Sequence, residues 1–297
     1  MNNFFQELAK KLAERWITLL LLPGLLLAAA TWAGAYLGQS LDVPRLTGAA
    51  AELGRTLALR PGGVQALLVV VLLLVSTGAG LAVQALAPAT RLLWLGRWPV
   101  LCRRRTARRR ARWHHQVDRR RHLTRDHPVG ARTREQQRLI DDAAGKANRI
   151  ALAEPGRPTW MGDRIHAVEQ IALNRYGLDL PFAWPRLWLV LPDPVRAELN
   201  AAHSTFAAAV ITGTWAWPYL LLGLVCWPAA LAGAVVGTVG WARARKAVAD
   251  MTALSEATLD LHGRTLAVAL GVGDPAATGP ISLAEGETIN AVVRKGR

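Results

Sequence analysis

Residues 204–241 read STFAAAVITGTWAWPYLLLGLVCWPAALAGAVVGTVGW, and none of these 38 positions carries a charged side chain. A transmembrane helix needs roughly 20 apolar residues, so this stretch is too long for one span and has the length of two. The turn is expected around Cys226-Trp227-Pro228, because proline is tolerated in a first helical turn and tryptophan favours the membrane interface. A turn within residues 214–218 is the alternative. The stretch therefore predicts a transmembrane hairpin at residues 204–242.

Two further uncharged stretches precede this hairpin. The first, from Trp16 to Leu41, predicts a span at about residues 16–38, and it lacks the cleavage pattern of a signal peptide. The second, from Pro61 to Thr90, predicts a span at about residues 64–87. The predicted fold class is therefore an all-α membrane protein: four transmembrane helices, with a helical cytoplasmic domain inserted between spans two and three.

The distribution of lysine and arginine predicts the orientation, because cytoplasmic loops carry the excess of these residues. They are concentrated near the N-terminus, after span two and after span four, so both termini are expected in the cytoplasm of a multi-pass inner-membrane protein. The predicted organisation is a helix and transmembrane hairpin at 1–90, a basic helical cytoplasmic domain at 91–203, the second hairpin at 204–242, and a cytoplasmic helix and tail at 243–297.

The most basic segment is RRRTARRRARWHHQVDRRR, residues 103–121, which contributes +9 to a net charge of +15. It directly follows a span, where basic clusters bind the anionic headgroups of the cytoplasmic leaflet. An acidic protein partner is a second interpretation. Nucleic acid is disfavoured, because only Trp113 is interleaved as a stacking group. The candidate contacts for lipid or partner are Arg103, Arg104, Arg105, Arg108, Arg109, Arg110 and Arg112.

The predicted cytoplasmic domain divides into helices and breaks. The basic segment predicts a helix that turns near residues 126–130, and residues 133–153 predict a second helix whose acids, Glu135, Asp141 and Asp142, pair with its arginines. A further helix is expected to begin at Gly162-Asp163, and the prolines between 181 and 194 are expected to break the chain into short pieces. Span four is expected to continue as one long amphipathic helix to residue 271.

Two GxxxG patterns in the spans predict close helix packing, because small residues let helix backbones approach each other. They are Gly34 with Gly38 in span one, and Gly233 with Gly237 in span four. Packing within one bundle and packing between two copies in a homo-oligomer are both consistent with these patterns.

The spans and the cytoplasmic segments offer no recognisable catalytic machinery. No charged or histidine side chain lies within a span, which argues against an ion-coupled transporter. Cys102 and Cys226 are far apart and have no metal-ligand spacing, so neither a metal nor a cofactor is expected. The charged residues after position 160 are expected to form a structural polar cluster rather than a catalytic one: Asp163, Glu169, Arg175, Asp179 and Arg186.

The segments Arg175-Tyr176-Gly177-Leu178-Asp179, Trp184-Pro185-Arg186-Leu187-Trp188 and Leu191-Pro192 resemble a segment of actinobacterial multi-span membrane proteins that have no assigned activity. The similarity extends to Leu259-Asp260-Leu261-His262, and together these parts cover about a third of the chain. The resemblance implies a shared cytoplasmic architecture, and no functional residue can be carried over from it. Gly263 stands where the group is expected to have arginine, which puts an ion pair at that position in doubt.

These observations predict a non-enzymatic membrane scaffold or regulatory protein that contacts anionic phospholipid and an unidentified cytoplasmic protein, with a homo-oligomer as an additional expectation. The alternative is an oligomeric channel or pore-forming effector. A membrane enzyme is the third class, and no motif in the sequence supports it.

Overall fold

The computed structural model of the chain describes residues 21–37, 42–98 and 102–294, together with Glu7 and Lys10. Within these residues the chain is helical and has no β-strand, which confirms the all-α class. The early part of predicted span one and Gly38 lie outside the described residues. The helices are α1 (Leu22–Leu37), α2 (Val43–Ala58), α3 (Gly62–Trp94), α4 (Cys102–Asp126), α5 (Arg134–Ile150), α6 (Trp160–Tyr176), α7 (Leu180–Val190), α8 (Asp193–Thr214), α9 (Ala216–Leu222), α10 (Trp227–Ala269) and α11 (Leu283–Arg294).

The chain divides into two compact units. Unit 1 consists of Met1–Thr90 and Ala208–Arg243, and unit 2 consists of Arg91–Ala207 and Ala244–Arg297. The unit boundaries fall after residues 90, 207 and 243, where the sequence predicts domain boundaries after residues 90, 203 and 242. Unit 2 contains the whole of α4 to α7 and α11.

Two helical stretches in the described part of the chain are long and apolar enough to cross a membrane. They are α3, and the stretch Asp193–Leu222 formed by α8 and α9. α1 is apolar but shorter, with 16 described residues. Between α9 and α10 the chain turns at residues 223–226, directly before the predicted Trp227-Pro228. α8 and α9 are also separated at Trp215, within the alternative turn at 214–218.

Unit 1 is held together by glycines at helix crossings. A Cβ atom added to Gly24 of α1 would overlap the carbonyl group of Ser76 in α3, so these two backbones touch. A Cβ atom added to Gly240 of α10 would lie 2.5 Å from the Cα atom of Gly213 in α8. Small residues permit this close approach, so dispersion forces act between the two helix backbones.

The outer surface of α3 is apolar over several consecutive turns. Side chains pointing in all directions around this helix are exposed, which a helix packed in a water-soluble core does not show. The exposed leucines and valines of this part are Leu67, Leu68, Val69, Val70, Val71, Leu72, Leu74 and Val75.

Unit 2 has a continuous hydrophobic core between α6, α7, α10 and α11, in which Leu178, Leu187, Leu266 and Ile289 are fully buried. Two details of the sequence prediction are wrong here. α6 begins at Trp160 with Thr159 as its N-cap, two residues before the predicted Gly162-Asp163, because the Thr159 hydroxyl accepts from the backbone N–H of Gly162. α7 is one helix despite Pro185 inside it.

The remaining elements of unit 2 agree more closely with the sequence. α4 and α5 pack together as a helical hairpin, and α5 begins with a capping box formed by Thr133 and Gln136. α10 runs unbroken over 43 residues, which confirms the single long helix predicted after the last apolar stretch. At 1.5 Å per residue, α10 is about 65 Å long.

Candidate functional site: the basic helix and its anchor

The predicted contact arginines on α4 are not equivalent. Six of them are exposed: Arg103, Arg104, Arg105, Arg108, Arg110 and Arg112. The seventh, Arg109, turns inward, and only 22% of its side chain is accessible. Arg109 therefore differs from the other six in that its guanidinium group has a buried partner.

That partner is Asp163, whose side chain is 1% exposed. The Nε and Nη2 atoms of Arg109 both donate to Oδ2 of Asp163, at 2.9 and 2.7 Å. The backbone N–H of Arg157 donates to Oδ1 at 2.6 Å, and Nη2 of Arg109 also donates to the carbonyl of Ile150 at 2.7 Å. Asp163 lies in the first turn of α6, where the helix dipole favours a negative charge. The free-energy cost of burying this carboxylate is thus offset by an ion pair, a backbone hydrogen-bond donor and the N-terminus of a helix.

The pair of Arg109 with Asp163 anchors α4 to α6, and two neighbours of Arg109 add contacts to this anchor. Arg110 forms an ion pair with Glu154 at 2.8 Å, and both side chains are about half exposed. The indole N–H of Trp113 donates to the carbonyl of Ala151 at 3.1 Å. One side of α4 is therefore fixed to residues 150–163, while its other arginines face solvent.

The acids of α5 do not take the predicted role. No ion pair in the described part of the chain joins Glu135, Asp141 or Asp142 to an arginine of α4, and Asp141 accepts instead from Gln137 on its own helix. The acids outside α4 that pair with its arginines lie beyond α5, at positions 154 and 163. Helix periodicity identifies the apolar face of α5, but it says nothing about which acid reaches which arginine.

A second set of polar contacts joins α6 to α10. Arg164 donates to the hydroxyl of Thr252 at 3.0 Å, and one turn further along α10 an oxygen of Glu256 is buried without a hydrogen-bond partner in the described structure. The Tyr176 hydroxyl donates to Asp260, which also lies 3.5 Å from Arg175. Burial, reinforced by the hydrogen bond to Asp260, raises the pKa of Tyr176 to about 12. Burial also raises the pKa of Glu256.

Ion pairs and hydrogen bonds hold α11 against the rest of unit 2. Arg264 of α10 pairs with Glu285 at 2.8 Å and donates to the carbonyls of Gly279 and Pro280. The backbone N–H and hydroxyl of Ser282 also donate to Glu285. The hydrogen bonds from the Ser282 backbone and from Arg264 lower the pKa of Glu285 from 4.5 to about 2.

We expect Glu285→Gln to reduce the thermal stability of the protein at neutral pH, and to do so less as the pH falls. A carboxyl group whose pKa is lowered by folding contributes stability above its unfolded pKa and loses it as the pH falls through the folded value. The difference in melting temperature between wild type and variant should therefore shrink between pH 4.5 and about pH 2. Thermal unfolding of the detergent-solubilised chain measures it, with Glu287→Gln, exposed on the same helix, as the matched control. An equal difference at all pH values would contradict this role.

The five residues of the predicted polar cluster find separate partners. Asp163 binds Arg109, Arg175 lies near Asp260, and Asp179 binds Arg294. Glu169 lies 3.4 Å from His166, and Arg186 donates to the Phe182 carbonyl of its own helix. In the described residues no ion pair or hydrogen bond joins two of the five, so they stabilise different contacts of unit 2 and are not one site. Next to Gly263, Arg264 forms an ion pair with Glu285.

The predicted packing glycines face other helices of unit 1. A Cβ atom on Gly34 would lie 3.4 Å from Cβ of Cys226, and one on Gly233 would lie 2.9 Å from the backbone nitrogen of Leu220. A Cβ atom on Gly237 would lie 3.1 Å from that of Ala216. Among the glycines of α10, Gly240 makes the closest contact. It is not one of the glycines that the GxxxG patterns identify. Three of the four predicted glycines thus lie at contacts inside one chain, and Gly38 lies outside the described residues.

Within the described residues, no group of three or more His, Cys, Asp or Glu side chains is arranged to hold a metal ion. No protein-family model, no characterised protein and no solved structure matches the chain.

Proposed function

We propose that the chain is a multi-pass protein of the inner membrane that serves as a non-enzymatic scaffold, with α4 lying against anionic phospholipid. The observation that carries this proposal is the set of six exposed arginines on α4. Attraction between a basic residue and an anionic leaflet amounts to about 1 kcal/mol per residue near the surface. A row of such residues close to the end of α3 is therefore well suited to hold headgroups.

The membrane part of the proposal has four spans, with both termini in the cytoplasm. Support for α3 and for α8 with α9 comes from their length, apolarity and exposed leucines and valines. Support for the first part of α10 comes from its close packing against α8 and α9 through glycines, over residues that carry no charge. α1 packs on α3 at Gly24 and would complete the bundle.

A protein partner in the cytoplasm is the second part of the proposal. The half-exposed acids of unit 2, Glu154 and Asp260, offer charged surface to such a partner. The resemblance to actinobacterial membrane proteins is in keeping with a shared architecture of this kind and adds no activity to it.

The pore alternative finds less support in the described residues. Thr214 lies 3.0 Å from Thr90, hydroxyl to hydroxyl, and the indole N–H of Trp217 donates to Thr90 at 3.2 Å. The hydroxyls of Thr77 and Thr212 bond to carbonyls of their own helices. These polar groups are already used within unit 1, which leaves few hydroxyls to line a water-filled path.

The lipid contact can be tested with a fluorescent probe on α4. Cys102 and Cys226 are replaced by alanine, Ala107, which is exposed on α4, is replaced by cysteine, and an environment-sensitive dye is attached. In nanodiscs that contain phosphatidylglycerol the emission should shift to the blue relative to pure phosphatidylcholine, and 1 M salt should reverse the shift because exposed charges are then screened.

Two variants with equal numbers of substitutions give the comparison. Replacing Arg103, Arg104, Arg105, Arg108 and Arg112 by glutamine should abolish the dependence on phosphatidylglycerol, whereas replacing the same five by lysine should preserve it. Equal emission in both lipids for the wild type, or a shift that survives in the glutamine variant, would contradict the proposal.

A further inference from the structure

Unit 2 contains an apolar cavity of about 260 Å³ between α6, α7, α8 and α10. Its volume exceeds the ~150 Å³ of an apolar cavity that binds benzene and lies near the lower end of ligand pockets, which run from ~300 Å³ upwards. Two tryptophans are among its lining residues. The lining residues that bear on the inference are Val168, Leu180, Trp184, Trp188, Leu199 and Met251.

A small polar cavity adjoins the apolar one. Ile165 and Glu169 line both, so the two spaces share a wall. The small cavity is also lined by Arg97, Arg157 and His166. An apolar chamber therefore has a basic recess beside it, and the two lie within one compact unit.

The charge of the recess favours an anion. No carboxylate in the described structure forms an ion pair with the guanidinium of Arg97 or Arg157, and both residues are exposed. The one acid present, Glu169, lies 3.4 Å from Nδ1 of His166. Two arginines against one carboxylate leave the recess positive.

The position of the cavities along the chain suggests where the ligand comes from. Leu199, Asn200 and His203 of the cavity wall immediately precede Ser204, where the uncharged stretch of α8 begins. Arg97 follows the end of α3 by three residues. Under the proposed topology, both points are close to the ends of spans, at the level where lipid headgroups lie.

We infer that unit 2 binds a single anionic amphiphile, with part of its alkyl chain in the apolar cavity and its headgroup on Arg97 and Arg157. The headgroup is a carboxylate or a phosphate, because both accept charge-assisted hydrogen bonds from guanidinium groups. A free fatty acid and an anionic phospholipid share this chemistry. The inference does not rest on lipid binding by α4, because no α4 residue lines either cavity.

Photo-crosslinking with site mapping tests the inference on the full chain in phosphatidylcholine nanodiscs. Three probes carry a diazirine in the alkyl chain: a fatty acid, a phosphatidylglycerol, and a fatty alcohol of the same length as the acid. The measured quantity is a ratio of adduct yields: the yield on the cavity-lining peptides of α7 and α10 divided by the yield on residues 67–75 of α3. The yield on α3 measures the concentration of each probe around an exposed apolar helix. The ratio should be about tenfold higher for an anionic probe than for the alcohol, which corresponds to about one charge-assisted hydrogen bond. Enrichment of only one anionic probe identifies the source.

Variants separate the two parts of the site. Ser255→Phe should fill the apolar cavity and remove the enrichment; the Ser255 hydroxyl bonds only to the Met251 carbonyl of its own helix, so no contact between helices is lost. Arg97→Gln with Arg157→Gln should abolish the preference for anionic probes, whereas Arg138→Gln, exposed on α5, should leave it unchanged. Melting temperatures identify variants that fail to fold. Equal ratios for all three probes in the wild type, or enrichment that persists in the well-folded Ser255→Phe variant, would overturn the inference.

Discussion

Replacing Arg109 by glutamine is expected to destabilise the protein by about 3–5 kcal/mol, the cost of removing one partner of a buried ion pair. Asp163 would keep the backbone N–H of Arg157 but would lose both hydrogen bonds from the guanidinium, at 2.9 and 2.7 Å. Its carboxylate, 1% exposed, would be left buried without its ion-pair partner. Denaturation of the detergent-solubilised chain, followed by tryptophan fluorescence, measures the change.

Arg108→Gln is the matched control, because it removes the same charge from the adjacent, exposed position. Its effect on stability should stay within about 0.5 kcal/mol, as for most surface substitutions. The double variant Arg109→Leu with Asp163→Leu should recover much of the loss, since apolar replacement of a buried pair is often neutral or stabilising. Equal stability of Arg108→Gln and Arg109→Gln would contradict the anchoring role.

Gly240→Leu is expected to have an effect of similar size in unit 1, by separating α10 from α8. A Cβ atom at this position would lie 2.5 Å from the Cα atom of Gly213 and 3.2 Å from the carbonyl oxygen of Ala209, and neither backbone can yield without moving a helix. Overpacking in a tight contact costs about 1–3 kcal/mol, and more where backbone must move. We expect a lower melting temperature and a faster loss of monodisperse protein in detergent.

Gly78→Leu provides the comparison for this variant. Gly78 lies in α3, and no atom lies within 4 Å of a Cβ atom added there. The larger side chain should therefore be tolerated, and removing a helix-interior glycine should itself be slightly favourable. If Gly78→Leu and Gly240→Leu were equally disruptive, the close contact between α8 and α10 would not be the cause.

Sequence patterns predict the helices of this protein better than they predict the contacts between them. The uncharged stretch from 204 to 241 and the long amphipathic continuation after it are visible because charge and hydropathy vary along the chain with the local environment. The interior proline of α7 misleads, because the fixed backbone of proline is tolerated wherever tertiary packing supplies the missing stability.

The anchor of α4 shows why a candidate site is harder to predict than an element. Nothing in the sequence distinguishes Arg108, Arg109 and Arg110 from one another. Asp163 lies 54 residues after Arg109, and only the path of the chain between them decides which arginine it binds. The same holds for Gly240, whose partner Gly213 lies on another helix. The available signal was Asp163 itself, an acid placed in an otherwise apolar first turn, which indicates that a partner must exist without identifying it.

The sidedness of the chain tests the central claim most directly. Single cysteines at Ala50, which is exposed on α2, and at Asn148, which is exposed on α5, are introduced into a background without Cys102 and Cys226. A membrane-impermeant maleimide is applied to intact cells and to permeabilised cells. The proposed four-span topology predicts that position 50 is labelled in intact cells and that position 148 is labelled only after permeabilisation. Labelling of both positions from the same side would contradict it.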